Sequence, residues 1–167
     1  SILNSFKSIA IDQCSNRIIK IDLREYLDTI LISLRPRLKR LDHVIKIKIP
    51  MGVLITTQPG ALSQIMINLI NNSMLHGFEG IDIGEVLIAH HITQDTLHLE
   101  YSDNGNGIEK PVLDRIFEEY FTTKAGAGGN GLGMAIVKKL VEEELGGNIS
   151  MKSTVNRGVK IDISIPL

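Results

Sequence analysis

The chain has 167 residues, enough for one domain with a real core and too few for two comfortable ones. Its 18 Lys and Arg stand against 19 Asp and Glu for a formal net charge of -1, so it lacks the basic footprint of a nucleic-acid binder or of a protein drawn to an anionic membrane. Cys14 is the single cysteine, which excludes an internal disulfide and a cysteine-based zinc site and fits a reducing, cytoplasmic setting; no apolar run reaches the roughly 18 residues of a membrane span, and no signal-peptide pattern opens the chain.

Ile2, Leu3, Phe6, Ile9 and Ala10 recur at helical spacing, as the end of a longer amphipathic helix would. The boundary between this leading segment, 1–21, and the domain proper, 22–167, is expected near Asp22, because Asp22-Leu23-Arg24-Glu25 has the form of a capping box. The helix it opens buries Leu23, Tyr26, Leu27, Ile30, Leu31 and Leu34, and Pro36 should kink or end it. Alternation from His43 to Pro50 predicts a half-buried strand, and residues 53–56 a short second one. A helix starts at Pro59 and runs to about His76. Residues 85–93 and 96–102 read as a hairpin turning at Gln94-Asp95. Pro111 to Ile116 is worth one or two helical turns, and 118–130 has too little apolar periodicity for a stable element, so a mobile loop is expected there. Leu132 to Leu145 is a helix closed by Gly146-Gly147, and residues 148–153 and 159–165 end the chain as strands. The order predicts an α+β, two-layer α/β sandwich: helices on one face of a mixed, mostly antiparallel sheet.

Three features carry chemistry. In the third helix Gln64, Asn68, Asn72 and His76 stack at i, i+4 steps, opposite Leu62, Ile65, Met66, Leu69, Ile70 and Ser73. A polar stripe also fits a solvated face, but such faces usually carry Lys and Glu. Three interior asparagines, Asn68, Asn71 and Asn72, each cost up to ~0.7 kcal/mol of helix propensity. Uncharged amides suit Mg2+ that arrives with phosphates, since it needs only one or two protein oxygens. Next, the period of two along 97–103 puts Asp103 on the same buried side as Leu97, Leu99 and Tyr101. A buried carboxylate is tolerated when it accepts strong hydrogen bonds, and the exocyclic amine of adenine is a suitable donor. Asp103-Asn104-Gly105 read alone is only a turn, yet Gly107 follows and no matching strand comes at once. Last, Gly126-Ala127-Gly128-Gly129-Asn130-Gly131-Leu132-Gly133-Met134 runs into a helix start, where free N–H groups and close-approach glycines can cradle phosphate. It matches neither a Walker loop nor a Rossmann fingerprint, and by itself it also fits a flexible linker.

Taken together these residues resemble the catalytic and ATP-binding domain of bacterial sensor histidine kinases, within the GHKL superfamily that includes type II topoisomerase ATPase subunits and certain chaperones. The resemblance covers about Asp22 to Leu167: an N box at Asn68-Leu69-Ile70-Asn71-Asn72-Ser73, a first glycine box from Asp103, an F box at 116–124 and a second glycine box at 129–134. It implies a Bergerat-type ATP-binding fold that binds ATP and Mg2+. Asn72 is then the metal ligand and Asp103 the adenine reader, with Gly105, Gly107 and Ile108 against the base. Phe121, Thr122, Thr123 and Lys124 belong to the lid, and Gly129, Gly131, Leu132, Gly133 and Met134 approach the phosphates. Asn68, Asn72, His76 and Lys124 are the candidate catalytic residues. Leu75 stands where many relatives carry a basic residue, which shifts phosphate contact toward Lys124 and His76.

The resemblance further implies γ-phosphoryl transfer to a histidine on a separate dimerisation domain, then to a response regulator receiver domain, in a full-length homodimer. None of His43, His76, His90, His91 and His98 lies in the acceptor context. No nucleic acid and no membrane contact by this segment are expected. An ATPase coupling hydrolysis to shape change, and a degenerate module that binds nucleotide to regulate a partner, remain the alternatives. Asn68, an amide where hydrolytic members carry a glutamate, argues against the first.

Overall fold

The computed structural model describes residues 2–13, 15–119, 121 and 133–167. Its elements in chain order are α1 (Ile2–Gln13), β1 (Ile19–Asp22), α2 (Leu23–Leu38), β2 (Val44–Lys48), β3 (Leu54–Thr57), α3 (Pro59–Asn72) continued by a π-helical turn (Ser73–Gly77), β4 (Glu85–Thr93), β5 (Thr96–Asp103), α4 (Lys110–Leu113), α5 (Gly133–Lys139) continued by a second π-helical turn (Leu140–Glu144), β6 (Asn148–Ser153) and β7 (Val159–Pro166).

Asp22 caps α2 as its sequence context predicts, one carboxylate oxygen accepting from the Glu25 N–H at 3.1 Å. The other oxygen accepts from the Gly52 N–H at 2.6 Å, so one side chain starts the helix and pins the turn before β3. These donors, Glu25 foremost, hold the Asp22 carboxyl below its ordinary range against a smaller opposing effect of burial. Pro36 falls in the last turn of α2, which ends two residues later. Arg24 bridges Asp28 and the carbonyls of Ile47 and Ile49, tying α2 to the end of β2.

A five-stranded sheet runs in the order β2-β4-β5-β7-β6, parallel only between β2 and β4. That parallel pair needs a crossover, which β3 and α3 supply. Buried residues alternate along β5 and β7, and Val86, Ile88, Leu97, Leu99, Ile161 and Ile163 form one core with Leu27, Ile30, Ile65, Met66, Leu69 and Ile70 of the helices. The sandwich expected from the order of elements is present. β1, left within the leading segment by the sequence reading, pairs antiparallel with β3; four residues are too few to carry a period. α1 packs on α2 and α3, with Ile9 in the core and the Tyr26 hydroxyl reaching both Asp12 and the Pro59 carbonyl.

Candidate functional site

The C-terminal end of α3, the end of β5, the start of β7 and the start of α5 surround a cavity of about 870 Å3. Its described lining includes Asn68, Asn72, His76, Asp103, Gly107, Ile108, Phe121, Gly133 and Met134 from the residues singled out by sequence. Thr122, Thr123, Lys124, Gly129, Gly131 and Leu132, and most of the loop expected over 118–130, lie outside the described residues.

The polar stripe is half-buried while its opposite face, Leu62, Ile65, Met66, Leu69, Ile70 and Ser73, is buried. Asn68 is held at both ends: its oxygen accepts from Gln64 Nε2 at 2.9 Å, and its nitrogen donates to the Gly133 carbonyl at 3.3 Å. Its amide therefore fixes the first residue of α5 against α3. Asn72 lies one turn on, and a Cβ built on Gly133 would sit 3.8 Å from its Oδ1. Among the described residues its amide has no hydrogen-bond partner, so a hard oxygen is left on the cavity wall for a cation. His76 falls within the π-helical turn, where the Phe78 N–H bonds to the Ser73 carbonyl at 2.8 Å. The wider turn departs from the 100° progression assumed for the stripe, yet His76 still lines the cavity.

Asp103 is buried on the same side as Leu97, Leu99 and Tyr101, as the strand period predicts. Register sets it between Val86 of β4 and Val159 of β7. Oδ1 accepts from the N–H groups of Gly105 at 3.0 Å and Val159 at 3.2 Å, and Oδ2 accepts from Ser73 Oγ at 2.7 Å. A carboxylate has about four acceptor positions. Three are filled from the protein, and the carboxylate lines the cavity with one Oδ2 lone pair remaining.

The glycines after it serve the chain more directly than the sequence reading supposed. Gly105 does not line the cavity; a Cβ there would run into the Gly77 carbonyl, which accepts from the Asn106 N–H at 2.7 Å. Gly107 has φ +71°, and a Cβ on it would meet the Thr154 carbonyl. Both allow backbone to close on backbone, and Gly107 and Ile108 then form part of the wall.

Sequence reasoning missed Arg37, Ser73, Met74, Gly77, Tyr101, Asn106, Glu109 and Met151 in this lining. Ser73 falls opposite the polar stripe by sequence; a hydroxyl on that apolar side is the available signal. Arg37, in the last turn of α2, is the one Lys or Arg in the described lining. Phe121 is stacked under the Arg115 guanidinium at 4.4 Å. His43, His90, His91 and His98 stand elsewhere: His43 accepts from the Gly84 N–H, and His91 stacks on His98 at 4.4 Å. Among the described residues no group of three His, Cys, Asp or Glu could hold a metal ion. No described helix is long and apolar enough to cross a membrane.

The cavity lining thus combines a hydrogen-bonding carboxylate, an amide unpartnered among the described residues and a guanidinium, groups that suit a base and its phosphates. Comparison with known proteins gives the family and the fold. The family model for histidine kinase-, DNA gyrase B-, and HSP90-like ATPases matches residues 57–167. Sensor histidine kinase ZraS of Salmonella typhi is 36% identical over 115 residues, covering 68% of this chain and 23% of that protein. Among solved structures, the catalytic domain of histidine kinase ThkA has a TM-score of 0.74 at 22% identity, covering 90% of this chain and 95% of that one. Full-length ShkA in complex with AMPPNP has a TM-score of 0.73 at 21% identity, covering 98% of this chain and 35% of that one. At such identities the structural likeness establishes the fold. The chain spans less than a quarter of the length of the curated relatives it matches.

Proposed function

The chain belongs to the family of histidine kinase-, DNA gyrase B-, and HSP90-like ATPases, and on that premise we propose that it is the ATP-binding catalytic domain of a two-component sensor histidine kinase. It holds Mg-ATP so that a histidine on the protein's own dimerisation domain takes the γ-phosphoryl group, which then passes to a response regulator receiver domain. The observation that carries the reading is the buried Asp103 carboxylate, with three protein donors and one free lone pair on the cavity wall. That lone pair meets the adenine amine.

The residues present fit the nucleotide and its ion. Asn72 offers the amide oxygen for Mg2+, Arg37 and His76 of the described lining are available to the phosphates, and Ile108, Met134 and Phe121 supply apolar wall. Bound Mg-ATP supplies an electrophilic phosphorus with its charge partly neutralised by the metal. The chain's own part is positioning: Asp103 reads the base and Asn68 fixes α5. No residue here has to remove a proton, because a neutral imidazole is already a nucleophile. Asn68, engaged by Gln64 and Gly133, leaves no carboxylate in the stripe to activate water, which favours transfer over hydrolysis.

Residues 1–21 are the tail of the preceding dimerisation helix and its linker, the catalytic domain is 22–167, and it works at the cytoplasmic face as part of a homodimer. The test is incubation with γ-labelled ATP, alone and with the matching dimerisation domain. Acid-labile label on the dimerisation domain only, with little free phosphate, is expected. Free phosphate without transfer would make the chain an ATPase, and neither product would make it a regulatory nucleotide-binding module.

A further inference from the structure

Three short oxygen contacts converge behind Asp103: Ser73 Oγ to Asp103 Oδ2 at 2.7 Å, Ser73 Oγ to Tyr101 Oη at 2.6 Å, and Tyr101 Oη to the Leu69 carbonyl at 3.0 Å. Only two hydrogens serve them. An ionised carboxylate cannot donate, so the Ser73 hydrogen goes to Asp103. Ser73 then has only lone pairs to offer across the 2.6 Å contact, so Tyr101 donates there. The Leu69 carbonyl does not depend on Tyr101, since it already accepts from the Ser73 backbone N–H. Burial raises the Tyr101 hydroxyl far above its ordinary range, so its proton stays on at any working pH.

We propose that Ser73, itself oriented by Tyr101, is a positioning residue that sets the donor–acceptor polarity of the base-reading end of the cavity. The inference rests on the reading of this cavity as a nucleotide site. All three side chains line it, and Ser73 and Tyr101 are both almost wholly buried. With the two backbone N–H groups fixed on Oδ1 and Ser73 fixed on Oδ2, the carboxylate can neither rotate nor take up a second orientation. Its last lone pair therefore points one way, and the base that fits offers an amine there. A ligand with a carbonyl oxygen at that place meets an acceptor that cannot turn away, and the Ser73 hydrogen that could have served it is committed to Asp103. Selection of adenine over guanine is thus the joint work of the carboxylate and the hydroxyl that holds it.

Because alanine is a good helix former and is smaller by one oxygen, Ser73→Ala should keep the fold. The experiment measures ATP and GTP affinities of the 167-residue chain by calorimetry for the parent, Ser73→Ala, Tyr101→Phe, Asp103→Asn and the double variant Ser73→Ala/Asp103→Asn. Ser73→Ala is expected to shrink the ATP-to-GTP affinity ratio about tenfold, the order of one hydrogen bond to a charged group. Tyr101→Phe should shift the ratio the same way by less. In the Asp103→Asn background Ser73→Ala should move the ratio far less, because the Gly105 and Val159 N–H groups already orient the amide and no carboxylate is left to hold. Equal weakening of both nucleotides by Ser73→Ala, an unchanged ratio, or a full effect persisting without the carboxylate overturns the proposal and leaves the nucleotide site standing. An unchanged ratio in Asp103→Asn itself overturns the proposal together with Asp103 as the base reader, and no saturable binding of either nucleotide by the parent overturns the nucleotide site.

Discussion

Replacing Asp103 with Asn inverts the polarity of the base-reading end without removing any contact that the fold requires. The two backbone donors on Oδ1, Gly105 and Val159, oblige the amide oxygen to take that side, so the NH2 group occupies the Oδ2 position. One of its hydrogens donates to Ser73 Oγ. The Ser73 hydroxyl then turns to Tyr101, whose own hydrogen goes to the Leu69 carbonyl 3.0 Å away. Every buried polar group is served, so stability should change little. At the cavity the lone pair is replaced by an N–H. ATP loses a hydrogen bond to a charged acceptor, about 1.5–3 kcal/mol, and meets a donor facing its amine. That is on the order of 10- to 100-fold in affinity. GTP instead gains a donor opposite its carbonyl, so the ATP-to-GTP ratio should collapse or reverse. Side-by-side titration of both nucleotides measures this, with thermal unfolding as the check on the fold. A ratio that stays at the parent's value would refute the reasoning and reduce Asp103 to a turn residue.

Asn72→Ala should abolish the dependence of ATP affinity on Mg2+ while leaving metal-free binding close to the parent's, because the side chain has no hydrogen-bond partner among the described residues; titrations with and without the ion check it. Arg37→Ala should weaken ATP more than adenosine, by about tenfold, since Arg37 is the one Lys or Arg in the described lining and a guanidinium pairs with phosphate; competition binding of the two ligands decides. The Asp22 carboxyl is held low in the folded protein, so its contribution is present above the unfolded value of about 4 and lost as pH falls through the folded value. Asp22→Asn, neutral throughout, should be less stable than the parent near neutral pH, and the gap should close on acidification in paired urea melts.

Helices and the hairpin were legible because their signals are local. The Asp22 cap, Pro59 at a first turn, and the alternation on both sides of Gln94-Asp95 need no distant partner. β1 was not, since Ile19–Asp22 is a strand only by virtue of β3. Neither π-helical turn could be read, because a single i to i+5 turn leaves no residue-type signature in the sequence and only shifts the facing of the residues after it. In the site, Asn72 and Asp103 stood out through residue type against burial pattern. Ser73 and Tyr101 did not, because a hydroxyl on an apolar face reads as core until the carboxylate opposite it is placed. Gly105 and Gly107 were found for a reason that proved incomplete: their backbones close against Gly77 and Thr154, and only Gly107 lines the cavity.

One cavity, between α3 and the end of β5, is proposed to hold an adenine nucleotide. A titration of the isotope-labelled chain with Mg-ATP, followed by amide NMR shifts, tests it most directly. The account predicts saturable one-to-one binding with the largest shifts at Asn72, Asp103, Gly107 and Gly133. Saturable binding mapped to another surface, or no saturable binding at all, would contradict it.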